Sequence, residues 1–189
     1  MAENTAALLG TFNFRVTLRR SATATSGAAG TTGTPGAPTG TPLGEGGFQE
    51  CTGLEVEMDV AELVEGGRND GVIRRVGRGK YGPLVLKRGM FVVSSSSPQS
   101  RPQANAELWS WLQGIVSGVR PVVRYDGVIE VLDAVGNRDA QNATVLASWR
   151  FSRGLPVKLS GPSLNAKTGD IAMEELHIAH EGLSLVVPR

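Results

Sequence analysis

Phe12, Phe14, Val16 and Leu18 alternate with polar residues, the period of a half-buried strand over 12–19. Further along, Leu54, Val56, Met58 and Val60 point one way and Glu55, Glu57 and Asp59 the other, which predicts a strand with one buried and one acidic face. A stretch dense in turn residues, 65–71, leads to a returning arm opened by Val72 and Ile73, and residues 84–89 read as a strand that stops at Gly89. One segment has the helical period. Leu108, Leu112, Ile115 and Val116 fall at i, i+4, i+7 and i+8, Trp109 widens the stripe, Asn105 is a suitable N-cap and Gly118 a suitable stop, so the spacing predicts a helix over 105–116. Strand signals follow at 122–125, 128–132 and 144–151, with tight turns at Asp126-Gly127 and Gly136-Asn137. Gly154, Pro156, Gly161 and Pro162 break the next stretch. The last strands span 171–180 and 183–187. Ile171 and Met173 are out of phase with Leu176 and Ile178, which predicts a bulge near Glu174-Glu175. Many short strands and one helix define a mainly-β class, a small barrel or sandwich with a helix packed on it.

Composition changes this picture in one place. From Ser21 to Gly46 all residues but Leu43 and Glu45 are Ala, Gly, Ser, Thr or Pro. Such a stretch lacks the apolar area to offset its ordering entropy and reads as a long surface insertion at 21–46 within one domain of 1–189. The chain has 189 residues, enough to bury a core without disulfides, and its single cysteine excludes an intrachain disulfide framework. A net charge of +1 argues against a nucleic-acid coat and a specific nucleic-acid partner. No apolar run is long enough for a transmembrane helix, and the start has no secretory signal pattern, so assembly in the cytoplasm is expected, with any exit by another route.

The residues carry no catalytic constellation. His177 and His180 fall on opposite faces of a strand, and Cys51 has no neighbouring Cys or His, so neither metal nor cofactor is expected. Glu55 and Glu57 share a face as paired glycosidase carboxylates do, but charged strand faces are more often solvated or interfacial. Gly77-Arg78-Gly79-Lys80 lacks the phosphate-loop spacing. Charge pattern says more. Between Phe48 and Gly66 lie six acids and no base; between Gly67 and Arg88 lie seven bases and one acid, Asp70. Either a hairpin pairs its own charges, or complementary patches meet between subunits. Trp111 lies off the helix stripe. It is either a partly exposed flank residue or an aromatic anchor at a subunit contact.

The order of short motifs carries a resemblance. Phe48-x-x-Cys-Thr-Gly-Leu-Glu-Val-Glu57 precedes Glu65-Gly66-Gly67 and Leu84-x-Leu-Lys-Arg-Gly89. Leu108-Trp-x-Trp111, Trp149-Arg-Phe-x-x-Gly-Leu-Pro-Val-Lys158, Gly161-Pro-Ser-Leu-Asn-Ala166 and Met173-Glu-Glu-Leu-His-Ile-x-His-Glu-Gly182 follow. From Phe12 to Leu183 the chain resembles the inner-tube protein of contractile phage tails and phage-tail-like injection systems; the insertion at 21–46 is the departure. The resemblance implies a small β-barrel like the ring protein of type VI secretion. It implies no enzyme activity, and hexameric rings stacked into a hollow tube that a contracting sheath drives through a target envelope. Implied partners are further copies of the chain, the sheath, baseplate and tube-terminating proteins, with effectors as candidate cargo in the lumen. The particle either stays in the cell or is released. The interface residues expected on this reading are Glu55, Glu57, Asp59, Glu65, Gly66, Gly67, Arg68, Arg74, Arg75 and Trp111. A tube-initiating or baseplate adaptor of the same fold is the alternative, and a monomeric β-sandwich binding module a more distant one.

Overall fold

The computed structural model describes residues 8–22, 42–43, 47–64, 66–67, 70–93, 103–133, 143–167 and 169–187. The elements are β1 (Phe14–Arg20), β2 (Glu50–Thr52), β3 (Val56–Leu63), β4 (Ile73–Tyr81), β5 (Leu84–Gly89), β6 (Val92–Val93) and β7 (Gln103–Ala104). They continue with α1 (Glu107–Val116), β8 (Tyr125–Leu132), β9 (Val145–Ser160), β10 (Met173–Ala179) and β11 (Gly182–Val186). All pairings are antiparallel. One layer is β1-β8-β9-β11, the other β9-β10-β5-β2, and β9 belongs to both. Pairs β3–β4 and β6–β7 form two small sheets of their own.

The core lies between the layers. Leu84 and Leu86 of β5 face Leu176 and Ile178 of β10, and Leu18, Ile129 and Phe151 meet them from the first layer. Helix α1 closes one side with Leu108 and Trp111, the latter only 6% exposed. The apolar stripe is therefore 108, 111 and the half-buried Leu112 and Ile115, while Val116 is exposed. Trp111 is neither a flank residue nor an outward anchor. Its indole N–H donates to the Val123 carbonyl at 2.9 Å and its ring meets Tyr125 edge-on at 4.7 Å, so the polar tip is satisfied inside the subunit. The helix starts after Ala106. Asn105 stands one residue earlier, where its Oδ1 accepts the Glu107 N–H at 3.0 Å. At the far end Gly118, with φ of 85°, makes the Schellman pair of bonds, Gly118 N–H to Ile115 O and Val119 N–H to Gly114 O.

Three local expectations are corrected. Asp126-Gly127 is not a turn but an irregularity inside the continuous strand β8. Glycine is required there because a Cβ would lie 2.0 Å from the Phe151 ring. Strand β9 does not stop at Gly154 or Pro156 but runs 16 residues, bending where Arg153 adopts φ of 54°. No bulge occurs at Glu174-Glu175; the shift lies between His177 and Ile178. Glu174 is simply the inward residue in phase with Leu176 and Ile178, paired across the strands with Arg88, which is in phase with Leu84 and Leu86. Both side chains are 1% exposed, and Arg88 Nε meets Glu174 Oε1 at 2.6 Å with the guanidinium 5.8 Å from the Phe48 ring centre. Most of the insertion, and the turn at 136–137, lie outside the described residues. The reading of 21–46 as a surface insertion is corrected at one point: Leu43 is buried, and its N–H donates to Leu18 O at 2.8 Å.

Removing one member of the buried pair strands the other charge. Glu174→Ala is expected to lower unfolding stability by about 3–5 kcal/mol, whereas the joint change Arg88→Met with Glu174→Leu should be near neutral or stabilising. Chemical denaturation of the three proteins checks this. By the same method Trp111→Ala should cost about 3–5 kcal/mol of subunit stability, because it empties a core position.

Candidate assembly surface

Strands β3 and β4 continue the β2–β5 pair outward. The chain leaves β2 at Thr52, turns at Gly53, enters β3, and returns through Gly82-Pro83 into β5. Gly53 has φ of 85°, and a Cβ there would come within 2.2 Å of the Pro83 carbonyl oxygen, so the two connecting segments pass at backbone distance. Beyond this root, among the described residues, the hairpin pairs only with itself, Val56 opposite Tyr81, Glu57 opposite Lys80, Met58 opposite Gly79, Val60 opposite Val76 and Glu62 opposite Arg74.

Strand alternation gives the hairpin two faces. One carries Val56, Met58, Val60 and Val76, exposed by 59, 54, 51 and 79%. The expectation that this apolar face is buried is thereby corrected: within one subunit both faces of β3 are open. The other face carries Glu57, Asp59, Arg75 and Lys80, on which Lys80 Nζ reaches Asp59 Oδ1 at 2.8 Å. Arg74 Nε pairs with Glu62 Oε1 at 3.4 Å. The self-pairing hairpin reading of the charge pattern thus holds for two pairs. A register shift between Met58 and Val60 sets Gly77 and Arg78 against Asp59.

The expected interface residues divide as follows. Glu57, Asp59, Arg74 and Arg75 lie together on the hairpin, Gly66 and Gly67 lie in its turn, and Glu55 lies at its root beside Gly82. Glu65 and Arg68 lie outside the described residues, and Trp111 lies in the core, away from this group. The exposed apolar face was missed, since periodicity reports two unlike faces and not what covers them. A second charged row crosses the layer β2-β5-β10. Lys87 Nζ meets Glu50 Oε2 at 3.0 Å and Glu175 Oε2 at 3.6 Å, and Glu175 Oε1 meets His177 Nε2 at 2.7 Å. The hydrogen bond to Glu50 raises the Lys87 pKa, and that to His177 lowers the Glu175 pKa.

The chemistry available elsewhere is sparse. Burial pushes the Cys51 thiol up to about 11, leaving it protonated at neutral pH and a poor nucleophile. Among the described residues no group of three or more His, Cys, Asp or Glu is placed to hold a metal, and no helix is long and apolar enough to cross a membrane. A cavity of about 540 Å³ lies beside α1, lined by Leu43, Trp111, Ile115, Pro121 and Val123 among others.

The architecture is shared with known proteins. A chain of the anti-feeding prophage baseplate superposes with a TM-score of 0.66 at 18% identity, covering 97% of this chain and 98% of its own. A chain of the sheath–tube complex of the PVC extracellular contractile injection system gives 0.63 at 18% identity, with 96% and 93% covered. A chain of the anti-feeding prophage tube-terminating cap gives 0.66 at 18% identity, with 100% and 97% covered. No curated protein matches the sequence. Residues 10–184 match the family model described as the T4-like virus tail tube protein gp19. That span is nearly the whole chain, and the chain therefore belongs to the gp19 tail tube family, a family of structural tube subunits and not of enzymes.

Proposed function

We propose that the subunit polymerises through its β3–β4 hairpin, forming hexameric rings that stack into a hollow tube inside a contractile sheath. The observation that carries this is the hairpin's open apolar face. A two-stranded hairpin is marginal in water by itself, and an exposed row of Val56, Met58, Val60 and Val76 marks a surface for a partner. The charges around it, Glu55, Glu57, Asp59, Arg74 and Arg75, set partner and register more than affinity. A contact between unlike surfaces that does not close on itself yields an open stack. Sheath, baseplate and terminating proteins are the further partners on this reading, with cargo in the lumen, and the particle is assembled in the cytoplasm. The solved chains that share the fold come from a baseplate, a cap and a sheath–tube complex, which supports this setting. The similarity to baseplate and cap chains equally supports an adaptor that makes one ring. Single rings in negative-stain images of the purified chain would favour the adaptor, and long stacks the tube.

Two variants test the hairpin contact. Met58→Asp with Val60→Asp should abolish stacking while moving subunit stability by less than about 1 kcal/mol, because both sites are solvent-exposed in the subunit. Reversing Glu55, Glu57 and Asp59 to lysine should leave a folded subunit whose stacks are short or out of register. Circular dichroism reports the fold and negative-stain microscopy the stacks; normal stacks from both variants would remove the hairpin from the interface.

A further inference from the structure

We propose that His180 is a pH-sensitive latch at the root of the β3–β4 hairpin, holding the hairpin when neutral and releasing it when protonated. His180 stands in the two-residue link between β10 and β11. Its ring is packed between Tyr81, the last residue of β4, at 5.4 Å between ring centres, and Phe151 of β9 at 5.7 Å. Both ring nitrogens are shielded from solvent; the backbones of Gly82 and Gly182 lie beside the ring, but neither makes a hydrogen bond of good geometry with it. The neutral ring therefore fills the space between the body and the hairpin mainly by ring packing. A proton on it places a charge where water does not reach.

The surroundings decide which side yields. Phe151 is 3% exposed and fixed in the core. The link itself is pinned, since Glu181 N–H donates to Ser152 O at 3.0 Å and the Glu181 carboxylate holds Arg124 at 2.9 Å and Arg153 at 2.7 Å. Tyr81 is 41% exposed and belongs to a hairpin that, among the described residues, has no strand pairing to the body. Strain at His180 is thus relieved by moving Tyr81, and with it β4 and β3. The charged and titratable groups nearby are Tyr81 on β4, Glu55 beside Gly82, Asp126 on β8, Arg150 and Arg153 on β9, Arg124 before β8 and Glu181 in the link. Asp126 already accepts from Ser21 Oγ and Arg153 N–H, both at 2.7 Å, and Glu181 is held by its two arginines, so neither is a ready counter-ion. Glu55 is exposed.

Burial holds the His180 imidazole below its ordinary value, and the backbones of Gly182 and Gly82 offset only part of this. The unfolded or released ring therefore takes a proton first on acidification. The neutral ring's contribution is complete above about pH 6.5 and is lost as pH falls from there through the folded midpoint. Opening of the hairpin should rise about tenfold for each pH unit between the two midpoints.

Hydrogen exchange of the full-length chain at about pH 7.5 and about pH 5, corrected for intrinsic chemistry, tests the latch. In the wild type, β3 and β4 amides should lose protection relative to β8 on acidification, while in His180→Phe they should keep it. Hairpin protection that is independent of pH in the wild type, or lost equally in His180→Phe, would overturn the proposal. Should His180→Phe not fold, an NMR titration of the wild type decides: a common midpoint for His180, Tyr81 and hairpin loosening supports the latch, and separate midpoints sink it. The consequence for stacks rests on the hairpin-contact reading above. Wild-type stacks that dissociate at about pH 5 while His180→Phe stacks persist would join the two. A hairpin that loosens while wild-type stacks persist would overturn that contact reading and leave the latch standing.

Discussion

Strand β9 cannot be straight and serve both layers. Its residues 145–154 pair with β8 and 148–152 with β11, and from Leu155 to Ser160 it pairs with β10. The direction changes at Arg153, whose φ of 54° is uncommon for a residue with a side chain, and whose N–H is taken by Asp126 Oδ1 at 2.7 Å. Two register shifts flank it, and in both the extra residue is on β9: Tyr125 to Gly127 of β8 span Gly154 to Phe151, and His177 to Ile178 of β10 span Lys158 to Pro156. The added backbone lies on β9 itself and lets it bend between partners that stay continuous. The core, the helix on it, and the exit of the β3–β4 hairpin from β2 and β5 all depend on this corner.

Register in the second layer has a separate guard. The Arg88–Glu174 pair adds little net stability, since two ions leave water to make it. Its effect is on alternatives. Slipping β5 against β10 by one residue would turn every β5 side chain over, carrying Arg88 to the outer face and leaving Glu174 buried without its partner. Because β5 carries the returning arm of the hairpin, the pair also fixes the direction in which the hairpin leaves the body.

Much of this was legible from residue order. Alternation marked β1 and β3, Gly89 marked the end of β5, the 3.6-residue period marked α1, and Gly118 marked its end. The motif series from Phe48 to Gly182 pointed to the family that residues 10–184 match. What escaped were features set by partners far along the chain. Periodicity found the two faces of β3 but assigned one to a core that lies elsewhere. Gly127 resembled turn chemistry because the Phe151 ring that requires it is distant in sequence. Glu174 broke the apolar phase only for a reader who excluded a charge from the interior; the inward steps Leu84, Leu86, Arg88 and Glu174, Leu176, Ile178 were both regular. Trp111 was misplaced because a wide helix stripe can be drawn in more than one phase.

The segment between β1 and β2 leaves and re-enters the fold at two fastened points. Ser21 N–H is bound to Arg124 O and Leu43 N–H to Leu18 O, each at 2.8 Å, with the Leu43 side chain sunk in the core. The closure entropy of a connection between two such points grows by about 0.6 kcal/mol for each doubling of its length. The two fastenings therefore set where the connection leaves and re-enters the body, whatever its length.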